Sequence, residues 1–190
     1  MDTKIPVEVS ARHCHLCPED LEKLFGKGHE LTQIKQLSQP SDFACEEAVE
    51  IEFGSKKFEN VRVVGPLRKQ TQVEISLTDA VGSGVIPPAR ISGDLKESES
   101  VIIRGPKGAV KLKKGLIVAL RHLHCATNEA ASLGIKMGDK IKVRVAGARA
   151  VVFEDVDVRV GDHYNLCLHL DTDEGNAAFI NKIGEGEITK

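Results

Sequence analysis

Two short segments of this chain carry the same chemistry-bearing pattern, Arg12-His13-Cys14-His15 and Arg121-His122-Leu123-His124. In an extended strand, residues i and i+2 project to one side. His13 and His15 therefore share a face, as do His122 and His124, while Arg12 and Cys14 turn the other way. Two imidazoles at that spacing can grip one metal ion, and zinc suits neutral imidazole combined with a carboxylate. A lone His-x-His is common and usually silent. Two copies inside a longer repeat, each preceded by Arg, point to a metal.

The repeat extends beyond these segments. Val9-Ser10-Ala11 precedes the first and Val118-Ala119-Leu120 the second, at a constant offset of 109 positions. Phe58-Glu59-Asn60-Val61-Arg62-Val63 resembles Phe153-Glu154-Asp155-Val156-Asp157-Val158 at an offset of 95. Carried forward, that second offset sets Glu74 against His169. Two matches in the same order predict two related half-structures facing each other about a pseudo-two-fold, with their chemical groups meeting where the halves face. A catalytic zinc keeps three protein ligands and one open position. The repeat supplies two such triples, His13, His15 and Glu74, then His122, His124 and His169, and so predicts two zinc ions per chain. His29 and His163 fall outside the pattern and read as surface or turn residues. Cys14 and Cys17 form a C-x-x-C with no second pair to complete a structural zinc site. Cys14, facing away from the ligands, reads as a small core residue, and Cys125, beside His124, as an inert thiol.

Gly65-Pro66-Leu67-Arg68-Lys69-Gln70-Thr71 leads into the strand that carries Glu74. A guanidinium in that turn can hold a phosphate oxyanion through paired N–H donors. An exposed loop arginine would fit the spacing equally well.

The rest of the composition narrows the function classes. The 190 residues suffice for one large domain or two small ones. Net charge is -2 with Lys and Arg scattered, and aromatics make up only 4 %. Neither a basic nucleic-acid face nor base-stacking platforms are expected. No apolar run approaches a membrane span, and Met1-Asp2-Thr3-Lys4 has no signal-peptide character. Five cysteines without an export signal suggest reduced thiols in the cytoplasm.

The positioning elements are mostly short strands: Ile5 to Ala11, Ala48 to Phe53, Lys57 to Val64, Val101 to Arg104, Ala109 to Leu112, Leu116 to Leu120, Lys140 to Ala146, Val156 to Val160 and Leu166 to Leu170. Gly54-Ser55 and Gly105 to Gly108 read as hairpin turns. Helices are predicted over Pro18 to Phe25, ending at Gly26, over Asn128 to Leu133 with Thr127 as N-cap, and over Thr172 to Ile183. Gly82 to Gly93 reads as a surface loop and Lys96 to Ser100 as exposed. Many short strands with Gly-rich turns suggest small barrels or sandwiches.

Arg12-His13-x-His15, Gly65-Pro66-x-Arg68-x-Gln70-Thr71-Gln72-Val73-Glu74, Ser92-Gly93-Asp94, Arg121-His122-x-His124 and His169-x-Asp171-Thr172-Asp173-Glu174 occur in this order. Together they resemble the phosphate propanoyltransferases of propanediol utilisation, zinc-dependent phosphotransacylases linked to bacterial microcompartments. The likeness runs from about Ile5 to Ala178. It implies a mainly β fold of two small β-barrels capped by short α-helices, one formed by residues 1–11 and 120–190, the other by 12–119. It implies reversible transfer of a propanoyl or acetyl group between coenzyme A and phosphate. By position it puts one zinc on His13, His15 and Glu74 and the other on His122, His124 and His169. It makes Arg68 the phosphate-binding arginine, and it lays CoA near Val9, Ser10, Ala11, Arg62 and Asn176. Microcompartment members often carry an amphipathic extension before the first strand. This first strand begins almost at once, which argues against encapsulation by that route. Cys14, Cys17 and Cys125 also depart from the family pattern.

Two other classes share these features. A dinuclear metallohydrolase uses His-x-His pairs and a carboxylate to activate water, although 190 residues are too few for its usual (β/α)₈ barrel. A non-catalytic zinc-stabilised binding module is the third reading. No Ser-His-Asp triad is legible, so direct attack by phosphate is the expected route for the transferase.

Overall fold

The computed structural model describes residues 3–189. Met1, Asp2 and Lys190, assigned from the sequence to the outer ends of the first barrel, lie outside the described residues. The elements in chain order are β1 (Lys4–Ser10), β2 (His13–His15), α1 (Pro18–Phe25), β3 (Gln33–Gln36), β4 (Phe43–Phe53), β5 (Lys56–Gly65), β6 (Gln72–Ile75), α2 (Leu77–Ala80), β7 (Ala89–Arg90), β8 (Glu99–Arg104), β9 (Ala109–Ala119), β10 (His122–Cys125), α3 (Thr127–Leu133), β11 (Lys140–Val145), β12 (Val151–Val160), β13 (Cys167–Asp171), α4 (Thr172–Ala177) and β14 (Ile183–Thr189). No helix among them is long and apolar enough to cross a membrane.

The strands close into two barrels, as the resemblance implies. One ring runs β1-β13-β10-β12-β11-β14. The other runs β9-β6-β2-β5-β4-β8 and returns to β9, with β3 added beside β4 and β7 beside β9. Every step matches in sense: the first and third pairings of each ring are parallel and the other four antiparallel. Closure removes the sheet edges that short strands would otherwise leave unpaired. Contacts divide the chain into unit 1 (Met1–Ala11, Ser38–Pro40, Leu120–Lys190) and unit 2 (Arg12–Leu37, Ser41–Ala119). The chain thus changes unit at the step into each Arg-His-x-His segment.

The offset of 95 positions has a visible structural basis. Asn60 and Asp155 occupy the same place in β5 and β12, and both adopt left-handed backbone, φ 56° and 52°. The ladders slip beside them, between Val49 and Ile51 and between Ile141 and Val143. An inserted residue resets the inside–outside alternation, and Asn and Asp tolerate that φ better than other non-glycine residues. Val61 and Val63 in one unit, and Val156 and Val158 in the other, are thereby buried. At the β4–β5 turn, Gly54 has φ 52°, and a Cβ there would lie 2.1 Å from the Ser83 carbonyl oxygen, so only glycine fits.

Each unit has its own aliphatic core. Leu16, Leu24, Ile51, Ile103 and Leu116 are among the residues that fill unit 2; Ile5, Val7, Leu123, Leu168 and Leu170 serve unit 1. Leu168 is fully buried beneath β13. Leu168→Ala should destabilise the protein by about 2–5 kcal/mol through lost burial and a residual cavity, read as a lower midpoint in urea unfolding.

Several sequence expectations are corrected. The helix predicted to reach Ile183 stops at Ala177. Phe179 turns to φ 60°, and Ile183 opens β14, which pairs with both β1 and β11 to close the barrel. Gly184 and Gly186 make that strand look like a tail, but Cβ atoms there would come within 2.7 Å of Ile180 and Val143 side chains. Thr127 is the first residue of α3, not its cap; the Glu129 carboxylate accepts from the Ala126 N–H at 2.8 Å instead. The two strands predicted on either side of Lys113 are one strand, β9. Within Lys96 to Ser100, Ser98 is buried, and its hydroxyl accepts from the Gly115 N–H at 3.0 Å.

Candidate functional site

In unit 2, β2 lies between β5 and β6. Its antiparallel register with β6 sets His13 opposite Glu74 and His15 opposite Gln72. One donor atom each from His13, His15 and Glu74 lies within 4.8 Å of the other two. The Glu74 Oε1 stands 3.8 Å from His13 Nε2 and 3.7 Å from His15 Nε2. His15 Nδ1 donates to the Val64 carbonyl at 2.9 Å, which fixes the tautomer and leaves the Nε2 lone pair facing Glu74.

Glu74 is held from behind. Gln72 Nε2 and the Ser92 hydroxyl each donate to its Oε1 at 2.6 Å. Arg68 Nη1 in turn donates to Ser92 Oγ at 2.6 Å. Burial alone would raise the Glu74 pKa, but His13, His15, the Ser92 hydrogen bond and the Arg68 charge hold it down at about 2. Burial, then the neighbouring His13 and Arg68, push His15 down to about 3. The pair is thus a carboxylate beside a neutral imidazole, the protonation states that bind metal. Ser92→Ala should weaken metal binding in unit 2 by about 10–100-fold, the usual cost of losing a group that orients a ligand, as measured by competition with a chelator.

Unit 1 repeats the geometry. β10 runs parallel to β12 and antiparallel to β13, with His122 opposite His169. Donor atoms of His122, His124 and His169 fall within 4.8 Å of one another. His122 Nδ1 donates to the Leu120 carbonyl at 2.9 Å. The amide of Gln39 reaches His169 Nε2 at 3.2 Å while exchanging hydrogen bonds with the Asn165 backbone. His124 stacks on Tyr164, and burial, then His122 and His169, lower its pKa to about 2.

The residues fit a metal on a specific observation. Both ring nitrogens of His124 are buried with no hydrogen-bond partner among the described residues. An orphaned buried polar group costs roughly 1–3 kcal/mol. A cation shared with His122 and His169 would give one of these nitrogens a partner.

The arginine of each motif, given no role by the sequence, turns away from the ligands. Arg12 Nη2 and Nε donate to Asp79 Oδ1 at 2.5 and 3.1 Å, with the guanidinium 4.6 Å from the Phe58 ring centre. Arg121 Nη1 donates to Glu174 Oε1 at 2.7 Å and lies 5.9 Å from the Phe153 ring. Asp79 and Glu174 each occupy the third position of a helix, α2 and α4, and the other oxygen of each caps its helix N-terminus through the N–H of Ser76 or Asp171. Each arginine therefore ties the His-x-His strand to the helix that follows the third ligand. Asp79 and Glu174 obey the 95-position offset and were findable by extending it. Ser92, in an irregular loop, had no such signal.

The remaining predicted residues are placed as follows. Val9, Ser10 and Ala11 end β1, where the Ser10 carbonyl accepts from Thr172 Oγ1 at 3.4 Å. Asn176 is exposed on α4, next to Gly175, whose missing side chain leaves room for Val9. Arg62, in unit 2, donates to the Cys45 and Glu46 carbonyls at 2.9 and 2.8 Å. All five cysteines are buried and unpaired with one another. Burial, then Asp20, raises the Cys14 thiol, and burial, then Glu47, raises Cys45 to about 11.

Residues 6–181 match the family described as phosphate propanoyltransferase. The chain is 50 % identical over 178 residues to the phosphate propanoyltransferase of Thermotoga maritima, covering 93 % of this chain and 85 % of the relative. It is 47 % identical over 186 residues to that of Lachnoclostridium phytofermentans, covering 97 % and 85 %, and 46 % identical over 177 residues to that of Priestia megaterium, covering 93 % and 82 %. Taken with two barrels of one topology and a His-x-His triad in each, these matches establish that the chain belongs to the phosphate propanoyltransferase family of acyltransferases.

Proposed function

We propose that the chain interconverts a short acyl-CoA, propanoyl or acetyl, and phosphate with acyl phosphate and free coenzyme A, using two zinc ions, one on His13, His15 and Glu74 and one on His122, His124 and His169. The observation that carries this reading is the recurrence of a three-donor cluster at the same ladder position in both barrels, one of them linked through Ser92 to Arg68. When bound, zinc supplies Lewis acidity for a thioester carbonyl and lowers the basicity of a departing thiolate.

The protein's own groups bind and orient. Arg68 offers its guanidinium to a phosphate oxyanion, offsetting charge and aiming an oxygen at the acyl carbon. Ser92 holds that guanidinium through Nη1 and so fixes the plane of its other donors. The phosphate oxygen forms the new bond to the acyl carbon, the C–S bond breaks, and CoA leaves as the thiolate to be protonated by solvent. No acyl-enzyme is needed, in keeping with five buried thiols. The resemblance assigns coenzyme A contacts to Val9, Ser10, Ala11, Arg62 and Asn176.

The test is release of free thiol from propanoyl-CoA with and without phosphate, run beside zinc analysis. Phosphate-dependent release supports the transferase. Phosphate-independent release would identify a hydrolase, and no release a binding module; either result overturns the proposal.

A further inference from the structure

The two His-x-His ladders are not identical at their fourth corner. In unit 2, His15 faces Gln72. In unit 1, His124 faces Cys167. Cys167 and His169 are two residues apart on one strand and project to the same side. A further donor joins them, because β1 runs beside β13 with Glu8 in register with His169. The corresponding partner of Glu74 in unit 2 is Ile117, which has no donor atom.

The spacing is that of a ligand set. One donor atom each from Glu8, Cys167 and His169 lies within 4.8 Å of the other two, the criterion also met by the two histidine-rich triads. Glu8 Oε2 stands 3.9 Å from His169 Nδ1. The Glu74 carboxylate stands at 3.8 and 3.7 Å from its histidines. All approach the roughly 3.4 Å edge of a tetrahedron with zinc–nitrogen and zinc–oxygen bonds of about 2.0–2.1 Å. The Ser38 hydroxyl donates to Glu8 Oε2 and anchors the carboxylate. Cys167 is buried, and its Sγ makes a long contact, 3.6 Å, to the Leu168 carbonyl.

We propose that Glu8, Cys167 and His169 form a second metal position in unit 1, a thiolate-containing site that shares His169 with the His122–His124 pair and takes a soft or borderline divalent ion such as zinc, cobalt or cadmium. Thiolate ligation selects such ions over magnesium or calcium. On binding, the Cys167 sulfur donates a lone pair to the ion and its proton passes to solvent. The ion in unit 1 thus has two places to sit, one of three nitrogens and one of oxygen, sulfur and nitrogen, whereas among the described residues unit 2 offers one place, of two nitrogens and one oxygen, with Gln72 where the thiol would be.

The test loads metal-free protein with Co²⁺ and records its absorption, a readout independent of acyl transfer. The wild type should show a near-ultraviolet thiolate-to-cobalt charge-transfer band. The band should vanish in Cys167→Ser, which still binds cobalt, and persist in Cys125→Ser, whose thiol borders His124. Cobalt-loaded wild type without the band overturns the proposal, as does a band that survives Cys167→Ser. Should that variant fail to fold, ¹¹³Cd resonance of the wild type decides: a shift in the sulfur-ligated range supports the site, and one with only nitrogen and oxygen ligands overturns it.

Discussion

Arg68→Ala will lower kcat for phosphate-dependent CoA release by about 10²–10³-fold, the usual loss when a donor to developing charge is removed, while both zinc ions stay bound. The Arg68 guanidinium is linked to Glu74 through the Ser92 hydroxyl. Glu74 keeps its hydrogen bonds from Gln72 and Ser92 in the variant, so its position as a ligand survives. Arg68→Lys should restore charge but not the planar fork, recovering part of kcat while KM for phosphate stays raised. Near-normal turnover in Arg68→Ala, with zinc retained, would falsify the assignment of this residue to phosphate.

The second large effect concerns His124. His124→Leu should abolish zinc binding at the three-histidine place of unit 1 and reduce acyl transfer to background, with the unit 2 ion retained. The same substitution should make the metal-free protein more stable than metal-free wild type by about 1–3 kcal/mol, because an apolar side chain of similar size replaces two buried nitrogens that lack partners. With metal added, the order reverses: the wild type gains, by mass action, the binding free energy of the three-histidine place that the variant has lost. Two urea titrations per protein, with and without zinc, check this. Equal metal-free stability would mean that the His124 nitrogens find partners in solution and that the fit to a cation is weaker than the geometry implies.

The candidate ligands were legible because metal chemistry constrains residue type and strand geometry constrains spacing. His13 with His15, and His122 with His124, follow from the alternation of side chains along a strand. Glu74 and His169 followed from the repeat as equivalent positions, and the ladders set Glu74 opposite His13 and His169 opposite His122. The offset persists in Asn60 and Asp155, Ser76 and Asp171, Asp79 and Glu174. A backbone bulge, a helix cap and an arginine clamp each demand particular residue types, so the signal survives where the hydrophobic sequence has drifted.

Other features had no local signature. Ser92 and Gln72 stand within motifs of the family resemblance, but their support of Glu74 does not follow from residue type, since a loop serine and a strand glutamine look alike whether they face a ligand or water. The early end of α4 is a second case. Its sequence tolerates continued helix; only the demand of β1 and β11 for a partner turns Phe179 and recruits Ile183 to Thr189 as the closing strand.

The sequence by itself therefore determined the donor types, their pairing within each half, and the duplication that relates the halves, because these rest on period-two geometry and on side-chain chemistry. Only the tertiary structure decided which strands close each barrel, that Ser38–Pro40 falls with unit 1, and that Cys167 joins Glu8 beside His169 in one unit while Gln72 and Ile117 stand in the other. Those outcomes depend on pairings between residues far apart in the chain, whose free energy comes from closing a ring of strands and burying its interior, and no local pattern records which partner wins.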